Sequence, residues 1–292
     1  MGLSPIVIRT LAWLHQREAF QGRILTLGKQ EVYGSEQDVL RILREEGIAT
    51  PHKATRQMGH AAEQSFLFQH FSQAPVESLD VSDFEGADHI CDLNQPLPES
   101  LKGRYGMVFD GGTLEHVFDI RQALQNVADL LEVGGRVIHY VPLNGQWNHG
   151  FFQFSPCFFL DYYAANQFES LQTWVVEPRR EIWYGDMLCP ARLYEIQERQ
   201  MIRDLQSSGR LFLLVSARRS ACSTTSIIPT QGYYTTEHQA SPPTPVTSKL
   251  GGIKRFVPFR WKLHFLSLRN YWKTLSRKRP PWGLKWARDL NC

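Results

Sequence analysis

Apolar residues along the first 220 positions alternate between short runs and helical spacings. Ile24-Leu25-Thr26-Leu27 is an apolar run closed by Gly28, the pattern of a buried strand. Ser35 to Glu46 follows as a predicted helix: Ser35 can cap it, Val39, Leu40 and Leu43 share one face, and Gly47 stops it. Val76–Val81, the short His89-Ile90-Cys91 and Met107-Val108-Phe109 leading into Asp110 are further strand candidates. Asp119, with Gln122 three residues on, opens a helix carrying Ala123, Leu124, Val127, Leu130 and Leu131, and Gly134-Gly135 ends it. Val137–Val141 is then a strand closed by Pro142. Ser155-Pro156 starts a helix with Phe158, Phe159, Tyr162 and Tyr163 on it. Leu171–Val176 and Leu211–Ser216 are two more strands, with a helix expected at about 190–206 between them. Met1 to Trp13 holds Arg9 and lacks a clear cleavage site, so it is expected to be a packed helix and not a signal peptide.

Strands separated by helices imply right-handed crossovers. The expected fold is therefore α/β: a doubly wound, mainly parallel, seven-stranded Rossmann-like sheet. Ligands in such sheets bind beyond the carboxyl ends of the strands, at the switch point next to the first strand. The loops after Leu27, Val81 and Phe109 are the candidates.

Beyond residue 222 the pattern breaks. Residues 1–222 carry a net charge of −7, and residues 223–292 carry +10. Ser223 to Ser248 is rich in Ser, Thr and Pro and too polar to offset its ordering entropy, so it is expected to be a linker. Val257, Trp261, Phe265, Leu268, Trp272 and Leu275 recur at spacings of three and four and are flanked by Arg260, Lys262, Arg269, Lys273 and Arg277. That pattern predicts a basic amphipathic helix. The expected organisation is a domain over 1–222, a linker over 223–248 and a basic aromatic extension over 249–292. The extension can dock on its own domain or a partner protein, or lie on a membrane surface through residues 253–279. Nucleic acid is not expected, because no recognised binding motif is present. No run of about 18 apolar residues suggests a membrane span. The five cysteines form no C-x-x-C pair, which suits reduced thiols in a cytosol; no zinc spacing occurs, and no metal is expected.

The loops hold the candidate chemistry. Gly28 lets the backbone approach a ligand, but Gly28-Lys29-Gln30 is neither a G-x-G-x-x-G fingerprint nor a phosphate loop. Asp80, closing the second strand, can accept both hydroxyls of a ribose or simply hold a turn. Asp92 could accept from an adenine amino group, with Leu93 against the ring. Asp110-Gly111-Gly112-Thr113 is followed by Leu114 to Val117, in which Glu115 and His116 are either loop polar groups or part of a site.

The segments LGKQ, DGGTLEHVF and HGFFQFSP, with Asp80 and Asp92 at their spacings, resemble the class I S-adenosylmethionine (SAM)-dependent methyltransferase superfamily, in particular a bacterial subgroup with LGxQ, DGGTLEHVF and HGFxQFSP blocks. The likeness covers about Gly22 to Phe168. It implies SAM as cofactor. Gly28 and Gln30 would lie at its methionine part, Asp80 on the ribose and Asp92 and Leu93 on the adenine. Asp110, Gly111 and Gly112 would line the pocket. The departure is in the first motif, where Gly28-Lys29-Gln30 replaces a glycine-rich loop.

Methyl transfer depends largely on positioning, with a base needed only for an acceptor that must lose a proton. His149, His116 and Glu115 are the titratable candidates for that role; His149 could equally be a loop histidine bonded to backbone, and His116 could buttress its turn. His139 alternates within a strand and is expected to be packing. Phe151, Gln153 and Ser155 are the expected acceptor contacts. The acceptor would be a small molecule or a glycan, and the expected location is the cytoplasm, peripheral at the inner membrane surface if the tail binds there. Two rivals stand beside this reading: a non-catalytic domain of the same fold acting as a scaffold, and a nucleotide-binding enzyme of another class such as an oxidoreductase.

Overall fold

The structure is a computed structural model, and it describes residues 2–56, 60–178, 191–196, 209–232 and 284–290. The first five apolar runs enter one sheet in the same direction. β1 (Ile24–Leu27) lies between β2 (Val76–Asp80) and β4 (Tyr105–Asp110); β3 (His89–Ile90) flanks β2, and β5 (Leu131–Asn144) flanks β4, all parallel. The chain order therefore reverses between β1 and β4, which puts the switch point at their carboxyl ends. β8 (Leu211–Arg218) runs antiparallel between β5 and β6 (Glu169–Pro178), so β6 points with the parallel set. A reversed strand at this place separates the sheet from an all-parallel dinucleotide fold. The sheet continues through β7 (Ala191–Ile196) and β9 (Leu284–Leu290), both in antiparallel pairs, to give the order β3-β2-β1-β4-β5-β8-β6-β7-β9.

Alternation along the strands builds two cores. Met107 and Phe109 of β4, with Ile138 and Tyr140 of β5, face α1 (Pro5–Arg17), α2 (Glu36–Glu45) and α3 (Gln64–Phe68). Val108, Val137 and Val141 face the other way, onto α4 (Ile120–Leu130) and α5 (Pro156–Ala165). The period of two in a strand sends neighbours to opposite faces, so each central strand is buried on both sides. Ser35 and Asp38 form a reciprocal capping box at the start of α2, and the Asp119 side chain accepts from the Gln122 N–H at the start of α4.

The α/β doubly wound sheet is as expected, with three differences in its elements. Among the described residues the sheet has nine strands in place of seven. Residues 191–196 form β7 and not the start of a helix, because they pair with β6 on one side and with the distant β9 on the other. Leu131, expected on the helix, opens β5; Arg219 Nη1 donates to the carbonyls of Ala128 (3.1 Å) and Leu131 (2.6 Å), which serves the end of α4 from outside.

Ser223–Gly232, inside the expected linker, runs back along α5. The Ile227 N–H donates to Asn166 Oδ1 (3.0 Å), the Gly232 N–H to Asp161 Oδ2 (3.0 Å) and the Tyr162 hydroxyl to the Thr225 carbonyl (2.7 Å). The predicted basic helix at 253–279 lies outside the described residues. Past it, Arg288 of β9 meets Glu46 at 2.5 Å, and Arg9 meets the same carboxylate at 2.8 Å. No helix among the described residues is long and apolar enough to cross a membrane.

Candidate functional site

A cleft of about 520 Å³ opens at the switch point, bounded by Gly28, Gln30, Asp80, Asp92, Leu93, Gly112, Thr113 and His116 among others. Gly28 leaves β1 with φ +70°, and a Cβ there would lie 3.2 Å from Thr113 Oγ1 and 3.7 Å from Asp80 Oδ2. The residue is glycine for both reasons: the left-handed backbone, and a cradle that a side chain would begin to fill. The Thr113 hydroxyl donates to the Leu27 carbonyl (2.7 Å), so the turn after β4 is pinned to the end of β1.

The altered first motif does not block this cleft. Gln30 is buried, and its Nε2 folds back to the Leu27 carbonyl (2.7 Å), while its backbone N–H donates to Gln64 Oε1 (2.7 Å). Its Oε1 has no partner. Lys29 points outward, its ammonium 3.3 Å from the Gly86 carbonyl.

Two carboxylates stand on the far wall. Asp80 Oδ1 accepts from the N–H of Val81 (2.6 Å) and of Ser82 (3.4 Å). Its Oδ2 is the oxygen turned toward Gly28. Asp92 Oδ1 accepts from the Asn94 N–H (2.9 Å) and side-chain amide (2.7 Å), and these bonds hold the carboxyl below its usual range. Leu93 beside it is buried. Asn126 of α4 ties this loop down by donating to the carbonyls of Leu93 (3.0 Å) and Gln95 (2.8 Å).

Asp110 and Gly111, expected to line the pocket, are not among the residues that bound this cleft. Asp110 is fully buried: Oδ1 accepts from the N–H of Thr113 (2.9 Å) and Leu114 (3.3 Å), and Oδ2 meets His139 Nδ1 at 2.8 Å. His139 Nε2 in turn meets the Tyr163 hydroxyl at 2.6 Å. His139 is thus packed, as expected, but as the middle of a buried polar chain that shapes the turn. A Cβ on Gly111 would come within 2.3 Å of Gln30 Oε1 and 2.7 Å of the Phe109 ring, so this glycine makes room for Gln30.

The same turn places His116 on the cleft lining, with the buried Glu115 next to it in the chain. Glu115 is fully buried, and neither carboxylate oxygen has a hydrogen-bond partner. Burial, and then the charge of Asp110, push its carboxyl up to about 8. Its Oε1 lies 3.9 Å from His116 Nε2 and 3.7 Å from His149 Nε2. The two imidazoles stand edge to face with centroids 4.9 Å apart. Desolvation is the first cause holding both below the usual histidine value.

His149 arrives on the loop after β5, and that loop is fastened to Glu115. The N–H groups of Phe151 (2.7 Å) and Phe152 (3.2 Å) donate to the Glu115 carbonyl. Asn148 is left-handed (φ 59°), and a Cβ on Gly150 would meet the Glu115 carbonyl oxygen at 2.7 Å. Phe151, Gln153 and Ser155 lie on this loop outside the cleft lining. Phe151 is exposed and stands edge to face with Phe118 (5.4 Å). Gln153 Oε1 accepts from the Gln146 N–H (3.0 Å), and Ser155 Oγ lies 3.2 Å from Cys157 Sγ.

Comparison with protein families gives no match, and comparison with curated proteins gives none. Solved structures do resemble the chain. A putative methyltransferase from Bacillus halodurans is 12% identical, with 72% of this chain and 99% of that one covered and a TM-score of 0.38. The CurJ carbon methyltransferase is 12% identical at a TM-score of 0.38, over 75% of this chain; this chain spans 54% of that one's length. A Burkholderia thailandensis 1,6-didemethyltoxoflavin-N1-methyltransferase, solved with S-adenosylhomocysteine, is 13% identical over 73% of this chain and 76% of that one, with a TM-score of 0.35.

The sequence reading missed Thr113, Asn126, Cys91 and Tyr33. Thr113, Cys91 and Tyr33 line the cleft, and Asn126 supports its wall. Thr113 stands inside a block already singled out, so its position was the available signal. Asn126 sits on a helix among apolar neighbours, and a polar residue on a buried face is a signal too.

Proposed function

We propose that this chain is a SAM-dependent methyltransferase acting on a small-molecule or glycan acceptor. One observation carries the reading: a carboxylate oxygen of Asp80 with no hydrogen-bond partner lies next to Gly28 on the lining of an open cleft at the β1/β4 switch point, with Asp92 and Leu93 on the same lining. The residues suit the cofactor. Asp80 Oδ2 can accept ribose hydroxyls, Asp92 can accept an exocyclic amine, and Leu93 and Leu79 offer apolar wall to a purine. When bound, SAM supplies an electrophilic methyl group on a sulfonium.

The protein's part is to position. Gly28 and Thr113 bring two strand ends together at the cleft floor, and the Asp110–His139–Tyr163 chain fixes the turn that carries His116. At the acceptor end, His116 and His149 are held neutral and can take a proton from an acceptor hydroxyl. Phe118 and Phe151 form an exposed aromatic rim there, suited to a flat or sugar-like acceptor. We keep the cytoplasm as the expected location and residues 253–279 as a contact for a membrane surface or a protein partner. Liposome flotation with and without residues 249–292 tests the membrane contact, and equal flotation ends it.

Calorimetry tests the main reading. SAM and S-adenosylhomocysteine should each bind at one site, and NAD should not. No SAM binding at millimolar concentration would leave a scaffold of this fold, and NAD binding alone would make the chain an enzyme of another class.

A further inference from the structure

Two explanations compete for the Glu115, His116 and His149 cluster. As a proton acceptor, a neutral imidazole needs no partner beyond its substrate. That account leaves Glu115 unexplained: its side chain is fully buried and both oxygens lack a partner. A protonated Glu115 does not mend this by bonding to the imidazoles, because 3.7 Å and 3.9 Å are beyond hydrogen-bond reach. The same separations suit an ion placed between the groups. The three ligand atoms lie within 4.8 Å of one another. Two ligands on one tetrahedral ion at about 2.0–2.1 Å stand roughly 3.4 Å apart, so closure asks for side-chain shifts of about an ångström or less.

We propose that Glu115 Oε1, His116 Nε2 and His149 Nε2 form a binding site for a divalent transition-metal ion of the zinc, cobalt or nickel class, with at least one coordination position open to the acceptor. Two imidazoles and one carboxylate are the donor set such ions take. A dication also supplies the missing partner for Glu115. The backbone is built around the same three residues: Glu115 and His116 are adjacent on one turn, and the Glu115 carbonyl binds the loop carrying His149 through two N–H groups. His116 lines the cleft, so the open position faces the space where a methyl acceptor would lie.

Metal binding itself stands on these side chains alone. Its role for the acceptor rests on the methyltransferase reading: an acceptor hydroxyl on the ion loses its proton to solvent, its oxygen bonds the methyl carbon, and the sulfur keeps the electron pair of the broken C–S bond. That favours acceptors able to present an oxygen to a cation, such as a vicinal diol or a hydroxy acid.

The test is titration of the full chain, freed of metal by a chelator, with Co²⁺, read by calorimetry and visible absorption. One equivalent should bind and give ligand-field bands. His149→Ala changes a half-exposed loop residue, and Glu115→Gln keeps the buried shape. Outer-ligand changes alone commonly cost 10–100-fold in metal affinity, so loss of a direct ligand should cost at least about 100-fold in either variant. Absence of stoichiometric binding, or affinity within about threefold of the parent in His149→Ala, would overturn the site. Failure of SAM to bind while Co²⁺ binds would sink the methyltransferase reading and leave the metal site standing.

Discussion

Asp80 and Glu115 are both carboxylates at the carboxyl edge of one sheet, yet they are held in opposite ways. Asp80 is half-buried; one oxygen is satisfied by the two N–H groups that follow it, and the other is left facing Gly28. Glu115 is wholly buried, with both oxygens unpartnered and two imidazoles just beyond hydrogen-bond reach. A carboxylate with one oxygen satisfied by its own turn and the other left open offers a directional acceptor, which suits hydroxyls. A carboxyl stripped of water and partners suits a cation. One cleft thus has a neutral-ligand end and an ionic end, and the two should fail independently.

The comparison can be broken first at His70. Its ring is buried, and neither nitrogen has a partner, so unpartnered burial by itself does not mark a ligand. What differs is company: His70 packs against His52 (5.3 Å) and Phe66 (5.2 Å), with the guanidinium of Arg44 nearby. Here the burial should act only as a stability cost. Desolvation lowers the His70 pKa to about 4. The unfolded chain therefore takes up a proton near pH 6.5 that the folded chain refuses. Stability is kept above that pH and lost as pH falls, approaching about 3 kcal/mol near pH 4 from this group. Urea unfolding of the parent and His70→Phe between pH 7 and pH 4.5 should give a steeper loss in the parent. Parallel losses would mean that His70 carries no such cost.

The next effect is at the neutral end. Asp80→Ala should weaken SAM binding by about 2 kcal/mol, roughly 30-fold, by leaving ribose hydroxyls without their acceptor. Co²⁺ affinity should stay within about threefold. A parallel loss of both would erase the distinction between the two ends. Glu115→Gln is the mirror experiment, weakening Co²⁺ binding by at least about 100-fold while changing SAM affinity by less than about threefold.

Most of the fold was legible because its parallel half is written locally. Apolar runs closed by Gly28 and Asp110, and the helices capped by Ser35 and Asp119, each carry their own signal. The other half is not local. Ala191–Ile196 becomes a strand through partners that include residues 284–290, almost a hundred positions away, and no periodicity in six residues reveals that. The site divides in the same way. Gly28, Asp80 and Asp92 sit at strand ends, where position alone assigns a ligand edge. Asp110 occupies such a place and is nevertheless structural, because His139 from the neighbouring strand claims its second oxygen. The burial of Glu115 depends on the loop folded over it, which was legible only as a block of residues and not as a cover.

A smaller effect separates support from contact. Asn126 is buried on α4 and touches the cleft only through the carbonyls of Leu93 and Gln95. Asn126→Ala leaves both carbonyls without a donor and should cost about 1–2 kcal/mol of stability. The loop bearing Asp92 would then be less well placed, so SAM affinity should fall a few-fold with no change at the metal site. An undiminished melting temperature would show that water replaces the amide at little cost.

The smallest effect is expected at Asp92 itself, and it sharpens the contrast within the neutral end. Asp92 lies in the open, and Asn94 already occupies one of its oxygens with two bonds. An adenine amine bound there exchanges one exposed partner for another, since water serves an exposed carboxylate nearly as well. Asp92→Ala should therefore change SAM affinity by less than about fivefold, well short of Asp80→Ala, whose acceptor oxygen faces the cradle at Gly28. Adenosine and its purine analogue lacking the amino group should bind the variant with equal affinity, the parent preferring adenosine slightly. If Asp92→Ala instead cost as much as Asp80→Ala, the grip on the nucleoside would lie on the base and not on the sugar, and the cleft would have to be turned around.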